Sequence, residues 1–472
     1  MPIPNARQLA WQQGELSMFL HYGMNTYTDK EWGDGHESPE LFNPEGLNAT
    51  QWASVAKETG FKFLVIVAKH HDGFCAWPSK YTEHSVKNSP WKDGKGDVVR
   101  EVADATRSVG VGFGIYLSPW DQNCSVYGDT RLYNEYYMGQ LTELMSNYGP
   151  VVYNFYDGAK GSWGKAMQYH WDQIMTLNHQ LQPGSAIFSD NGPDVRWVGN
   201  EGGWAGETNW ATIDRKKVHI GANPPTPSYA SEGEEGGPDY IPPECDTSIR
   251  PGWFYHQEET PKSVDVLVGT YFTSVGRNGH LILNVPPNRA GVFDDADVSA
   301  LRGFRKALDD IFSTDATSDS NVTASNVRGG SDSGPFGPPQ VLTDDIRTYW
   351  ATEDDVREAT IELHMTANKT FNVVRLQEPI QLGQRISKHC VQVFDFHTRT
   401  WTTLVGGTTI GHKRLHTTEA VVTDKVRVRV YSSRAPPLLA SIGLHYSEHP
   451  VKEPPREYGR ARFGGSASDA QI

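Results

Sequence analysis

Apolar runs and stretches of helical spacing alternate along the first two thirds of the chain. Leu16-Ser17-Met18-Phe19-Leu20-His21 reads as a first buried strand. From about Asn48 to Thr59, Trp52, Val55 and Ala56 share one helical face, and Phe61 to Ala68 is the next apolar run, closing on Lys69-His70-His71-Asp72-Gly73-Phe74. Asp97 to Val109 has an acidic start, helical spacing and Gly110 as a stop. Gly112 to Ser118 predicts a strand and Arg131 to Tyr148 an amphipathic helix. Val151-Val152-Tyr153-Asn154-Phe155-Tyr156 then reads as a strand buried on both faces that stops at Asp157-Gly158. Met167 to Leu181 reads as helix and Ala186 to Asp190 as a short strand, and a Gly-, Pro- and acid-rich segment runs on to about Cys245. Pro261 to Ser274 is helical, Leu281 to Val285 a strand and Ala296 to Phe312 a closing helix. Repeated strand-then-helix units predict an α/β domain, a (β/α)₈-type TIM-like barrel over 1–312. No Gly-x-Gly-x-x-Gly follows the first strand, which counts against a dinucleotide fold. The texture then changes. Ser, Asp, Gly, Thr and Pro crowd 313–340, read as a linker, and short alternating strands over 341–447 predict an all-β sandwich, with a tail over 448–472.

Composition narrows the partners. The 472 residues hold 43 Lys+Arg against 57 Asp+Glu, a net charge of -14, so nucleic acid and anionic membrane are poor partners. No apolar run of about 18 residues predicts a membrane span. With 14 Trp and 20 Tyr the chain is rich in flat apolar faces with polar edges, the surface sugars need, although large cores use them too. Cys75, Cys124, Cys245 and Cys390 lack metal-ligand spacing and leave the redox compartment and oligomeric state open. The amino-terminal MPIPNARQLAW is no signal peptide, so secretion requires that one was removed. Triplets at Asn48, Asn123, Asn321 and Asn368 have the N-glycosylation pattern and point to a secreted, extracellular protein.

Polar residues collect where barrel strands end: His21, Glu31 and Trp32, His70 and His71, Tyr116, Asp157, and the Arg196–Glu201 segment. A carboxylate at such a strand tip, beside a glycine, is where a parallel barrel puts its chemistry; Asp157 read alone is more readily a helix N-cap, and the rest of the chain turns the balance. A metal site could draw on His21, His70, His71 and Asp157, but His-x-His spacing is absent and adjacent strand residues point to opposite faces, so no metal or other cofactor is expected. Sugar hydrolysis fits better. It needs one ionised carboxylate at the anomeric carbon and one carboxylic acid whose pKa is raised. Neutral His, Trp N–H and Tyr O–H suit a ring of hydroxyls. Each residue also has a plainer role: Trp32, Tyr116 and Phe155 as packing groups, Arg196 as an ion-pair partner, Glu201 as solvated surface, His70 and His71 satisfied by backbone carbonyls.

Taken together, Phe19-Leu20-His21-Tyr22-Gly23, Glu31-Trp32, Ala68-Lys69-His70-His71-Asp72-Gly73-Phe74, Tyr116-Leu117-Ser118-Pro119-Trp120, Phe155-Tyr156-Asp157-Gly158-Ala159 and Asn278-Gly279-His280-Leu281-Ile282-Leu283-Asn284-Val285 resemble glycoside hydrolase family 29, the retaining α-L-fucosidases. The Gly192–Glu201 segment is similar to that of the subfamily preferring α-1,3/1,4-linked fucose, plant members included. The resemblance implies Asp157 as nucleophile and Glu201 as acid/base, with Glu207 a rival. It implies His21, Glu31, Trp32, His70, His71, Tyr116 and, more weakly, Arg196 as sugar contacts. Phe19 and either Trp253 or Phe254 would wall the C6 methyl, and Phe155 stands where many members have Trp. The expected carboxyl separation is about 5–5.5 Å for a retaining enzyme. The expected partner is a fucosylated glycan. The competing readings are an inactive fucose-binding, lectin-like protein and another retaining exo-glycosidase such as an α-galactosidase.

Overall fold

The computed structural model describes residues 1–159, 167–222, 224–449 and 451–454. Eight parallel strands close into a barrel: β1 Leu16–Leu20, β2 Phe63–Lys69, β3 Gly112–Leu117, β4 Tyr153–Phe155, β5 Ala186–Ser189, β6 Val195–Trp197, β7 Pro243–Ser248 and β8 His280–Asn284. Closure is by β8 on β1, with Leu16 opposite Leu281 and Phe19 opposite Asn284. Helices form where the spacing and caps demand them. Asp97 accepts from Arg100 N to start Val98–Val109, and Gly110, at φ 72°, ends it. Asp129 does the same for Thr130–Asn147. Inside the barrel, Phe19, Val65, Val67, Tyr153, Phe155, Phe188 and Ile282 pack as one cluster, and Trp11 from helix Ala6–Gly14 joins them, stacked on His280 at 4.2 Å.

Two strands depart from expectation. β6 follows β5 with no helix between, and β7 lies within and beyond the end of the stretch read as irregular. The β7 sequence, Pro-Glu-Cys-Asp-Thr-Ser, lacks the apolar texture of a strand because its inward residues are polar and paired. Glu244 accepts from the Tyr153 hydroxyl and Asp246 from the Trp197 indole at 2.6 Å, while Cys245 joins the outer core. The insertion between β6 and β7 carries Glu201.

The remaining described residues form an antiparallel sheet domain. Its long strands Ala359–Gln377 and Arg414–Ser433 pair with register shifts between His364 and Lys369 and between Phe371 and Val373. Ile361, Leu363, Val374, Leu376, Val428, Ile442 and Leu444 share its core. The segment expected as a linker is part of this domain: Asn321–Ala324 pairs with Ala359–Gln377, and Val322 and Val327 are buried. Alternation over so short a strand is too brief to stand out from its Ser- and Asp-rich surroundings. Of the expected tail, residues 450 and 455–472 lie outside the described residues. Among the described residues no helix is long and apolar enough to cross a membrane.

Candidate active site

The carboxyl ends of the strands bring the predicted residues together. Asp157 lies just beyond β4; the N-cap reading falls on residues 160–166, which lie outside the described residues, and the next described helix starts at Trp171. Its Oδ1 accepts from Ala159 N at 2.7 Å and its Oδ2 from the Tyr116 hydroxyl at 3.0 Å, so both oxygens are held. Tyr116 is buried, and that burial and the neighbouring carboxylate push its own pKa up, which keeps it a donor. Behind Gly158, a Cβ would stand 3.1 Å from Asp190 Oδ2.

Three histidines line the same rim. The rings of His70 and His71 lie 4.1 Å apart, because both sit in the turn after β2 rather than on opposite faces of an extended strand. His71 Nδ1 bonds Ser118 Oγ at 2.8 Å; that hydroxyl donates onward to Trp120 O, so the imidazole proton belongs on Nδ1 and Nε2 is left as an acceptor, 3.8 Å from Asp157 Oδ2. His21 Nδ1 likewise donates to Asn284 Oδ1 at 2.8 Å. Burial pushes His21 down to about 4 and lowers His70 and His71 too, so all three are neutral at pH 7 and suited to hydroxyls. The backbone carbonyls weighed as their partners are not used; His70 Nδ1 is buried with no hydrogen-bond partner among the described residues. The string around them is explained by packing. Lys69 turns away into a buried ion pair with Asp121 at 2.9 Å, Asp72 accepts from Phe74 N, and a Cβ on Gly73 (φ 85°) would stand 2.3 Å from Asp121 Oδ1. No group of three His, Cys, Asp or Glu side chains among the described residues could hold a metal ion.

Aromatic groups enclose the space. Phe19 lies 4.6 Å from His21, 5.1 Å from Phe155 and 6.4 Å from Trp253, and Phe155 stacks on Phe188. Phe254 meets His21 and His70 edge-on. Trp32, 41% exposed, stands edge-on to His71 and Trp120. Glu31 accepts from Trp253 N at 2.8 Å, Phe254 N at 3.0 Å and His256 Nε2 at 2.8 Å, so it clamps that wall in place.

The two rival glutamates part company. Glu201 is bonded by the Trp253 side chain; burial first, then the negative charge of Asp157, pushes its pKa up to about 7. Glu207 has a side chain 73% exposed and 3.9 Å from Arg277, just before the start of β8 and so away from the rim, with its main chain against the sheet domain. The arginine expectation is corrected. Arg196 turns outward and is buried; its guanidinium donates to Ala230 O, Ile241 O, Trp210 O and Asn209 Oδ1, holding the insertion rather than facing the rim. On a strand its neighbours Val195 and Trp197 point in, so Arg196 must point out.

Three groups were missed from sequence: Asn284, which orients His21, Asp190 and Asp246. Asp246 is buried on the inner face of β7, and burial together with the Glu201 charge holds its carboxyl well above the usual range. The spacing Glu244, Asp246, Ser248 was the available signal, legible only once that segment is known to be a strand.

Residues 5–309 match the α-L-fucosidase family model, and 321–441 match the F5/8 type C domain. The chain is 45% identical over 446 residues to alpha-L-fucosidase 1 of Arabidopsis thaliana, covering 94% of this chain and 88% of the relative. A Ruminococcus gnavus GH29 fucosidase solved in complex with fucose is 33% identical, with TM-score 0.88 and 95% of each chain covered. The crystal structure of SpGH29 superposes at TM-score 0.90 and 38% identity, over 94% of this chain and 98% of that one. The chain belongs to the α-L-fucosidase family and is a glycoside hydrolase.

Proposed function

We propose that this protein is a retaining exo-α-L-fucosidase that removes terminal α-1,3/1,4-linked L-fucose from Lewis-type or N-glycan branches. The observation that carries the hydrolytic reading is the unequal pair of carboxyl groups; the retaining course is what the resemblance to the retaining α-L-fucosidases implies. Asp157 has both oxygens fixed by hydrogen bonds, whereas Glu201 keeps its proton to about pH 7. Asp157 attacks the anomeric carbon as the glycosidic C–O bond breaks, and the departing oxygen takes the Glu201 proton. Forming the ester removes the Asp157 charge, one of the causes holding Glu201 up, so the Glu201 pKa falls. Glu201 then takes a proton from the incoming water, whose oxygen bonds the same carbon from the face the leaving group left as the ester C–O bond breaks and the Asp157 carboxylate is released.

The neutral imidazoles of His21, His70 and His71, with Trp32, hold the fucose hydroxyls; Phe19, Trp253 and Phe254 face the C6 methyl. The linkage reading rests on the Gly192–Glu201 segment, and secretion on the four glycosylation triplets. Asp157→Ala should remain folded and lose turnover, and azide should restore release of an activated aryl leaving group with a β-fucosyl azide product. Full activity in that variant ends the assignment. A panel of α-1,2-, 1,3-, 1,4- and 1,6-fucosylated oligosaccharides decides the linkage; faster release from the 1,2 or 1,6 members would refute it.

A further inference from the structure

The loop that carries Glu201 is held by the barrel on entry and by both domains on exit. On entry, Val198 N donates to Glu244 O of β7 at 3.0 Å. The turn is closed by Asn200, whose Oδ1 accepts from Gly202 N at 3.0 Å and whose Nδ2 donates to Trp204 O at 2.9 Å. On exit, the main chain of Glu207–Ala211 leans on the sheet domain. Thr408 Oγ1 donates to Glu207 O at 3.1 Å, and Arg414 donates to the same oxygen. Asn209 N donates to Thr409 Oγ1 at 2.8 Å. Gln384 works on both sides of Trp210: its Nε2 donates to Asn209 O at 2.9 Å and its Oε1 accepts from Ala211 N at 2.7 Å. Gln384 and Thr409 are each 1% exposed.

From this we infer that the sheet domain is a working part of the acid/base apparatus, with Gln384, Thr408, Thr409 and Arg414 acting as positioning residues for Glu201. The inference rests on the acid/base role proposed for Glu201. The loop cannot fix its own shape. It contains Gly199, Gly202, Gly203 and Gly206, with Gly199 at φ 84° and Gly203 at φ 74°, and it has neither helix nor ladder to bond its main chain. The barrel domain supplies partners for Ala205 N (Thr273 O, 2.9 Å), Gly206 N (Ser231 O, 3.2 Å) and Trp210 N (Glu232 O, 2.7 Å), and the sheet domain's side chains supply them for Glu207 O, Asn209 N and Ala211 N; because these side chains bond backbone atoms they set position rather than charge. Position matters here since proton transfer requires the acid within hydrogen-bond reach of the departing oxygen, and an error of about 1 Å costs about 10²-fold.

The test uses the full chain. Thr409→Val keeps the shape and removes the acceptor; Thr409→Ser keeps the hydroxyl. A brace on the acid predicts that Thr409→Val loses at least about tenfold more kcat/KM on a methyl or glycan fucoside than on a dinitrophenyl fucoside, whose leaving group departs without a proton. The basic limb of its pH–rate profile should also move, and Thr409→Ser should restore both. Equal loss on the two substrates, or a lowered melting temperature with no change in their ratio, overturns the inference. Glu201→Gln is measured alongside. If that variant shows no leaving-group dependence, the acid/base reading falls and takes this one with it; if it does and Thr409→Val does not, the brace alone falls.

Discussion

Replacing Glu201 by Gln removes a transferable proton while keeping the size of the side chain and a hydrogen-bond donor. Its carboxyl is pushed from 4.5 up to about 7 by burial and by Asp157. At pH 7 about half the molecules then carry the proton, against about one in 300 for an unshifted carboxyl, a gain of about 150-fold in competent acid. The transfer itself is worth about 10²–10⁴-fold. On a methyl or glycan fucoside, kcat/KM should therefore fall by about 10²–10⁴-fold in Glu201→Gln. On a dinitrophenyl fucoside it should fall less than about tenfold, since that oxygen needs no proton to leave. Its kcat and KM should fall together there, because in the proposed double displacement the fucosyl-enzyme would lack a base and accumulate, visible as a burst of dinitrophenol. The unaltered enzyme should lose kcat/KM on poor leaving groups as pH rises through about 7, and the variant should lack that limb. Equal losses on both substrates, or a basic limb that survives the substitution, would refute the reasoning.

Arg196→Ala strands several buried carbonyls at about 1–3 kcal/mol each, so denaturant unfolding should show a loss of at least about 3 kcal/mol; unchanged stability with a raised KM would instead mean a sugar contact. His256 is raised from 6.5 to about 9, chiefly by its hydrogen bond to Glu31, which with that to Asp29 outweighs the opposing effect of burial. A raised folded pKa gives stability that is whole below about 6.5 and lost as pH climbs through about 9, so the melting-temperature gap between the enzyme and His256→Gln should narrow from about pH 6 to about pH 10; a gap that widens contradicts the ion pair. If Phe19 and its neighbours discriminate only by an apolar wall, the L-galactoside analogue, fucose with a C6 hydroxyl, should be disfavoured by no more than about 10²-fold in kcat/KM. A ratio of about 10⁴ would require a polar contact at that carbon.

Most of the barrel was legible because its signals are local. The stretch from Asp97 to Gly110 was read as a helix from a cap, a spacing and a stop, and each is formed by residues within a few positions of one another. The run ending at Asp157 was read in the same way, and its family string placed the carboxylate that Tyr116 holds. Strand β7 was not legible, because its inward Glu244 and Asp246 are tolerated only by Tyr153 and Trp197, which reach them from other strands. Arg196 looked like a sugar contact from its neighbours in sequence, yet strand alternation aims it at loop carbonyls as far along the chain as Ile241. Sequence alone settled most of the barrel's elements and the chemical types at its rim, since periodicity and capping act within a turn or two. Which of Glu201 and Glu207 faces Asp157 was decided by the tertiary structure. Burial and charge at a carboxyl are sums over groups remote in sequence, and the loop bearing both glutamates is held by Gln384, Thr409 and Arg414, about 200 residues away in the chain.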